Sequence, residues 1–309
     1  TLYGLMVTYL EGRRATEAML AVMSGMLIYA GNLSRGAASA VLSLGVAPRA
    51  MPLLIGAATC PGAVGLLLVT HRAPKPNAAD ISARTKRTAM TAAARREFLC
   101  RWGVGIASLM LGYALLTGIR QVRDLYSKQI FAASLGVSDA PAYVFLIADL
   151  PGALLSILAL LGLGRIPSNR RALLTMLAIM LAATSLGLLS TALYQLGVLG
   201  GLAWQLLLGT SIFVTYSLMG TPFFDRLLAA SRTEGTCSFL IFLSDFFGYV
   251  ASVSLLLYQD FSPQSADDDA DHSDELHFFL VVFWACGSAI AVLIVLAAVY
   301  FERRLPMVR

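Results

Sequence analysis

The chain has 309 residues, 58% of them hydrophobic and 13% charged, with a net charge of +5. A soluble domain carries about 25% charged residues, so a mean hydropathy of +0.74 excludes an ordinary water-soluble globule. The positive charge is not a nucleic-acid footprint, because it lies mostly in the connections between apolar runs.

Taken in chain order, the residues Thr1 to Leu10 are apolar and run into Glu11-Gly12-Arg13-Arg14. They read as the last turns of a helix whose start lies upstream, so a longer protein is expected. Eight apolar runs follow, at roughly 16–44, 51–70, 103–124, 139–163, 171–194, 201–222, 236–258 and 278–301. Each is close to the ~20 residues that a helix needs to cross a bilayer. The expected fold class is therefore an all-α integral membrane protein with about eight transmembrane helices. Pro61, Gly62, Pro151 and Gly152 are tolerated inside such helices when neighbours satisfy the freed carbonyls. Small residues such as Gly187 and Gly248 allow helices to approach closely.

Two connections are long. Residues 71–102 hold Arg72, Lys75, Arg84, Lys86, Arg87, Arg95, Arg96 and Arg101, and read as a basic linker against anionic headgroups. They divide the chain into residues 1–70, with two full spans, and residues 103–309, a six-helix bundle. Residues 259–277 carry seven acidic residues and no Lys or Arg. Their consecutive Asp267, Asp268 and Asp269 lack the alternation of an EF-hand, so a solvated loop without a specific metal is expected.

Of the 23 Lys and Arg residues, 18 lie on the side of both termini. Four (Arg49, Arg120, Arg123, Lys128) are assigned to the opposite side, and Arg35 lies inside a span. The positive-inside rule places both termini on the cytosolic-equivalent side.

Cys60, Cys100, Cys237 and Cys286 show no metal-type spacing, and His71, His272 and His277 lie at or beyond the span ends. No Ser-His-Asp set, His-Glu-x-x-His or phosphate-binding glycine loop falls on a suitable element. Neither an enzyme nor a cofactor is expected. The bilayer is the expected partner, with a small-molecule or ion substrate and the neighbouring subunits of a membrane complex as further candidates.

The informative residues are the charges within the spans. An ionisable group at mid-membrane costs about 2.5–3.5 kcal/mol on insertion scales, so it marks a partner or a role. Arg35 lies in the first span, Arg120, Arg123 and Asp124 late in the third, Asp149 in the fourth and Asp245 in the seventh. One reading is structural. Arg120 and Asp124, four apart, neutralise each other; Arg123 snorkels to the interface; Asp149 or Asp245 bridges to Arg35. The other reading is functional: an aspartate binds a proton or cation and the arginines hold an anionic group. A carboxyl removed from water favours its neutral form, which a proton carrier needs. Tyr29, Asn32, Gln205 and Tyr216 are expected to hydrogen-bond between helices or touch a ligand, and Trp102, Trp204 and Trp284 to pack or line interfaces.

Thr16-Glu17 follows Arg13-Arg14, and Thr233-Glu234 follows Arg232 at an offset of 217 residues, a trace of repetition. With a basic linker ahead of six helices, this layout resembles the major facilitator superfamily, whose two six-helix halves are parallel repeats. The resemblance implies that the spans are helices 5 to 12, with Thr1 to Leu10 as the tail of helix 4. It also places the charged spans at helices 5, 7, 8 and 11, which line the central cavity of that fold. The strings Tyr9-Leu-Glu-Gly-Arg-Arg14, Arg84-Thr-Lys-Arg87, Arg120-Gln-Val-Arg-Asp124, Phe224-Asp-Arg-Leu-Leu-Ala-Ala230 and Gly235 through Tyr249 resemble an uncharacterised facilitator-like family. The second-half loop, Gly164-Arg-Ile-Pro-Ser-Asn-Arg-Arg171, keeps only the basic residues of the superfamily's signature loop. The expected function is a secondary transporter of a small solute by alternating access, with proton coupling as an option. The alternative is a non-transporting facilitator-like protein acting as a structural or accessory subunit.

Overall fold

The computed structural model of the chain describes residues 16–72, 91–231, 238–260 and 273–305. Among them there are eleven helices and no strand. These are α1 (Thr16–Ser43), α2 (Met51–His71), α3 (Ala92–Leu125), α4 (Ser127–Leu135), α5 (Ala142–Ala148) and α6 (Leu150–Gly164). They continue with α7 (Asn169–Gln195), α8 (Gly201–Leu218), α9 (Thr221–Ser231), α10 (Ser238–Asp260) and α11 (Ser273–Arg304). Seven of the elements, counting α5 and α6 as one, are long and apolar enough to cross a membrane. They fit an integral membrane protein.

The expected first span forms as α1 but is not one of the seven, because Asn32, Ser34 and Arg35 interrupt its apolar run. The third span begins eleven residues before the expected 103. Thr91 caps it by accepting from the Ala94 amide at 3.2 Å, and Ala92, Ala93 and Ala94 then favour helix over loop. The end of the expected linker is thus helical. The rest of it, at 73–90, lies outside the described residues, as do Thr1 to Leu10 and the acidic cluster at 267–271. Of the acidic loop, Asp274 and Glu275 open α11, where carboxylates suit the positive end of the helix dipole.

The third span also ends later than expected. The Tyr126 amide still donates to Val122 O at 3.0 Å, and Ile130 N to Tyr126 O at 2.9 Å, so α3 continues into α4 almost without a break. The chain turns only at Gly136, whose φ of 66° suits glycine.

Most of the core is one cluster, and Ala153 and Phe213 form a small second one against Tyr29. α3 packs between α10 and α11, α7 between α8 and α11, and α8 against α6. α1 lies across α5 and α6, presenting the small or polar positions Ala21, Gly25, Asn32 and Gly36 at heptad-like spacing. A side chain at Gly25 or Gly36 would strike Ile157 or Leu146, so this seam depends on bare backbone. α2, by contrast, touches α1 and buries no residue.

Candidate functional site

The fourth span is broken at its aspartate. Pro151 lacks the N–H that would close a turn on Ile147 O. Asp149 accordingly leaves the helical region (φ −110°, ψ 0°), ending α5 and opening α6. Its carboxylate points into the bundle and is fully buried.

Arg123, 2% exposed, meets it there: Nη1 lies 2.8 Å from Asp149 Oδ1 and donates to Oδ2 at 3.0 Å. Burial of Arg123 corrects the expectation that it snorkels to the interface. Arg123 is in the last turn of α3, but because the chain runs on through α4 to Leu135 it lies inside the bundle. Its Nη2 donates weakly to Gln205 Oε1 at 3.4 Å and Gln205 O at 3.5 Å, and Gln205 Nε2 donates to Ser134 Oγ at 3.3 Å. The Phe131 ring covers the guanidinium at 5.3 Å. Gly209 of α8 makes room, since a Cβ there would collide with the Asp149 carboxylate and lie 2.8 Å from Ala148 O.

From Asp149 the polar contacts pass to α1. Asn32 Nδ2 donates to Asp149 Oδ2, while Asn32 Oδ1 accepts from Arg35 Nη1 at 2.7 Å. Arg35 Nη2 then pairs with Asp124 Oδ1 at 3.0 Å, and Arg120 Nη1 donates to Asp124 Oδ2 at 3.0 Å. Arg35 thus takes Asp124 as its partner, in place of the aspartates at 149 or 245. The expected i,i+4 pair of Arg120 and Asp124 is present, with a second arginine added to it.

The path continues through aromatic groups. The Arg120 guanidinium lies 4.9 Å over the Tyr216 ring. The Tyr113 hydroxyl donates to the Tyr216 hydroxyl at 3.0 Å, with the rings stacked 5.4 Å apart. Asp245 of α10 stands on the helix that packs against Tyr113 through Gly248 and makes no ion pair among the described residues. α10 comes this near because Gly248 rests on Tyr113 and Thr117, at 3.2 Å from each.

Five of the six ionisable residues singled out in the sequence therefore lie on one polar chain running from α4 and α8 through α1 to the Tyr113–Tyr216 pair, with Asp245 on α10 beyond it. Asn32, Gln205 and Tyr216 join it between helices. Tyr113, Ser134 and Gly209 also belong to it and were not anticipated. Tyr113 had a usable signal, as it lies seven residues, or two turns, before Arg120 and so on the same helix face. Gly209 and Ser134 had none beyond being small.

Among the described residues, no three His, Cys, Asp or Glu side chains gather as a metal site requires. A surface hollow of about 500 Å³ lies at the opposite end of α3, lined by Ala92, Arg95, Arg96, Leu99 and Cys100.

A family model described as a family of unknown function, DUF5690, matches residues 1–304. The chain belongs to DUF5690. No curated protein and no solved structure matches it. For this DUF5690 chain the resemblance to an uncharacterised family is thereby met.

Proposed function

We propose that the chain is a facilitator-type secondary transporter that moves a small solute by alternating access, with the polar chain as its pathway. One observation carries the reading. Five ionisable side chains from separate helices converge on a single connected path, with Asp245 near its tyrosine end, in a bundle whose other buried polar side chains are neutral. Ionisable residues within a membrane that face one another mark substrate or ion routes. The path crosses the seam between α1 and the bundle, where bare glycines let the helices approach closely. On the facilitator reading, that seam separates the two halves that move.

The orientation follows the charge asymmetry. With Arg120 and Arg123 drawn into ion pairs between helices, the lightly charged side keeps only Arg49 and Lys128, in keeping with both termini on the cytosolic-equivalent side. The accessory-subunit alternative is favoured by one observation, α2, whose 21 residues bury nothing against this chain. Reconstitution of the full-length protein in liposomes tests the two. A saturable solute-dependent flux that Arg120→Gln abolishes is expected for a transporter. A silent protein that purifies in fixed stoichiometry with other membrane subunits would replace it with the alternative.

A further inference from the structure

Building on the transport reading, we propose that the open half of the polar chain binds one small singly charged oxyanion together with one proton. The anion sits at Arg35 and Arg120, and the proton sits on Asp245.

Charge counting leads to the anion. Arg123 and Asp149 cancel each other in a sealed pair. In the open half, Arg35 and Arg120 share the single carboxylate of Asp124, leaving one positive charge. Asp245 is the group that offsets it, and it does so across two tyrosines rather than by contact. Neutralising Asp245 with a proton leaves a net +1 in a low-dielectric bundle, and an anion of charge −1 restores balance. Unpaired charge in such surroundings is costly. Proton and anion therefore strengthen each other's binding, and the coupling is reciprocal.

Donor geometry favours an oxyanion. A guanidinium offers five N–H donors in a planar fork that matches carboxylate or phosphate oxygens. Arg120 commits Nη1 to Asp124, while its buried Nε has no partner among the described residues. The Tyr216 face holds the guanidinium plane without occupying its edge. Arg35, 29% exposed, and Arg120, 26% exposed, are both reachable, unlike Arg123.

The surroundings of Asp245 fit a proton site. α3 supplies Tyr113, with Arg120 two turns further along, and α8 supplies Tyr216 through Tyr113. α9, which also touches α10, carries Asp225 and Arg226. Arg226 is engaged by Leu163 O, Ile166 O and Asn169 Oδ1 at the α6–α7 loop. The outward neighbours Phe242, Phe246 and Tyr249 are exposed and bring no cation.

The test is calorimetric titration of the purified full-length protein between about pH 5 and pH 8, with lactate and benzoate as probes and lactamide and choline as controls. Lactate or benzoate should bind. If the protonated form is the competent one, apparent affinity should fall about tenfold per pH unit on the alkaline limb. Asp245→Asn should keep the acid-limit affinity at every pH. Arg120→Gln and Arg35→Lys should weaken binding about ten- to hundredfold, the worth of a charged hydrogen bond. Binding of choline or lactamide instead, a pH-independent wild type, or no binding of either acid would each overturn the proposal. Flux separates the two levels of argument. Uptake of a neutral or cationic solute that Arg120→Gln abolishes, with no binding of either acid, would remove the oxyanion site and leave the transport reading standing. Stoichiometric lactate binding without movement of any solute would do the reverse.

Discussion

Arg123–Asp149 and Arg35–Asp124–Arg120 are built from the same residue types, lie on the same polar chain and are joined through Asn32. They differ in access and in balance. The first pair is 2% and 0% exposed and neutral; the second cluster is 13% to 29% exposed and carries an extra positive charge. A sealed pair is out of a ligand's reach even where Arg123 Nε has no hydrogen-bond partner among the described residues, whereas an open cluster with spare donors is accessible. The comparison assigns stability to one end of the network and recognition to the other, and substitutions at the two ends should therefore have opposite signatures.

The largest effect is expected at the sealed pair. Removing one partner leaves an uncompensated charge in the bundle, at a cost of about 3–5 kcal/mol. Arg123→Ala or Asp149→Ala should accordingly abolish or severely reduce folded protein in a detergent melting assay. The double change Arg123→Met with Asp149→Ala should recover much of that loss, because it leaves no uncompensated charge in the bundle. Equal losses in the single and double variants would mean that the carboxylate has a partner beyond Arg123 that matters more, with Asn32 the first to examine.

Next comes the packing that keeps the pair dry. Gly209→Ala puts a methyl against the Asp149 carboxylate and the α5–α6 backbone, and Gly152 already abuts Gly209 O at 3.0 Å from its Cβ position. Overpacking of this kind costs about 1–3 kcal/mol. Gly162→Ala is the control, since nothing lies within 4 Å of its Cβ position and alanine is the better helix former. A melting temperature lowered by the first change and unchanged or raised by the second is the expected pattern.

At the open cluster the ranking should invert. Asp124→Asn removes the carboxylate shared by Arg35 and Arg120 but leaves both arginines access to solvent. Partly exposed pairs contribute about 0–1 kcal/mol, so melting should shift little, while any solute binding at the arginines should change markedly. A loss of stability as large as that of Asp149→Ala would erase the distinction between the two ends.

This distinction was only half legible in the sequence. The helices were readable because apolar runs are long and bounded by charge, and the six charged residues stood out because each is expensive in lipid. Who pairs with whom was not readable, because it depends on which helix faces which. Arg123 shows why. Beside Arg120, Asp124 and the exposed Lys128, it looks like the charged end of a span. Only the continuation through Tyr126 to Leu135 puts it in the core. The α3 start was hidden for a related reason, since Arg95, Arg96 and Arg101 read as linker although Thr91 and three alanines begin a helix. Gly209 and Ser134 matter through what approaches them, which no local pattern encodes.

The smallest stability effect, and the finest test of the comparison, is expected at Tyr113. Its hydroxyl donates to the Tyr216–Arg120 stack and is a polar group of α3 that faces α10, so it tests whether Asp245 belongs functionally to the open end. Tyr113→Phe keeps the ring that stacks on Tyr216 at 5.4 Å and the surface on which Gly248 rests. It deletes only the hydroxyl, and a typical net hydrogen bond is worth about 0.5–1.5 kcal/mol. Melting should therefore drop slightly. Any pH dependence of solute binding should weaken more than the binding itself, because the arginines are untouched while the connection to Asp245 is cut. Tyr216→Phe offers the matching control. It removes the other hydroxyl of the pair but leaves Tyr113 free to serve Asp245, and it keeps the ring face beneath Arg120. If the two variants alter the pH profile equally, the hydroxyl pair acts as one unit. If neither does, Asp245 titrates independently and the polar chain ends at Arg120.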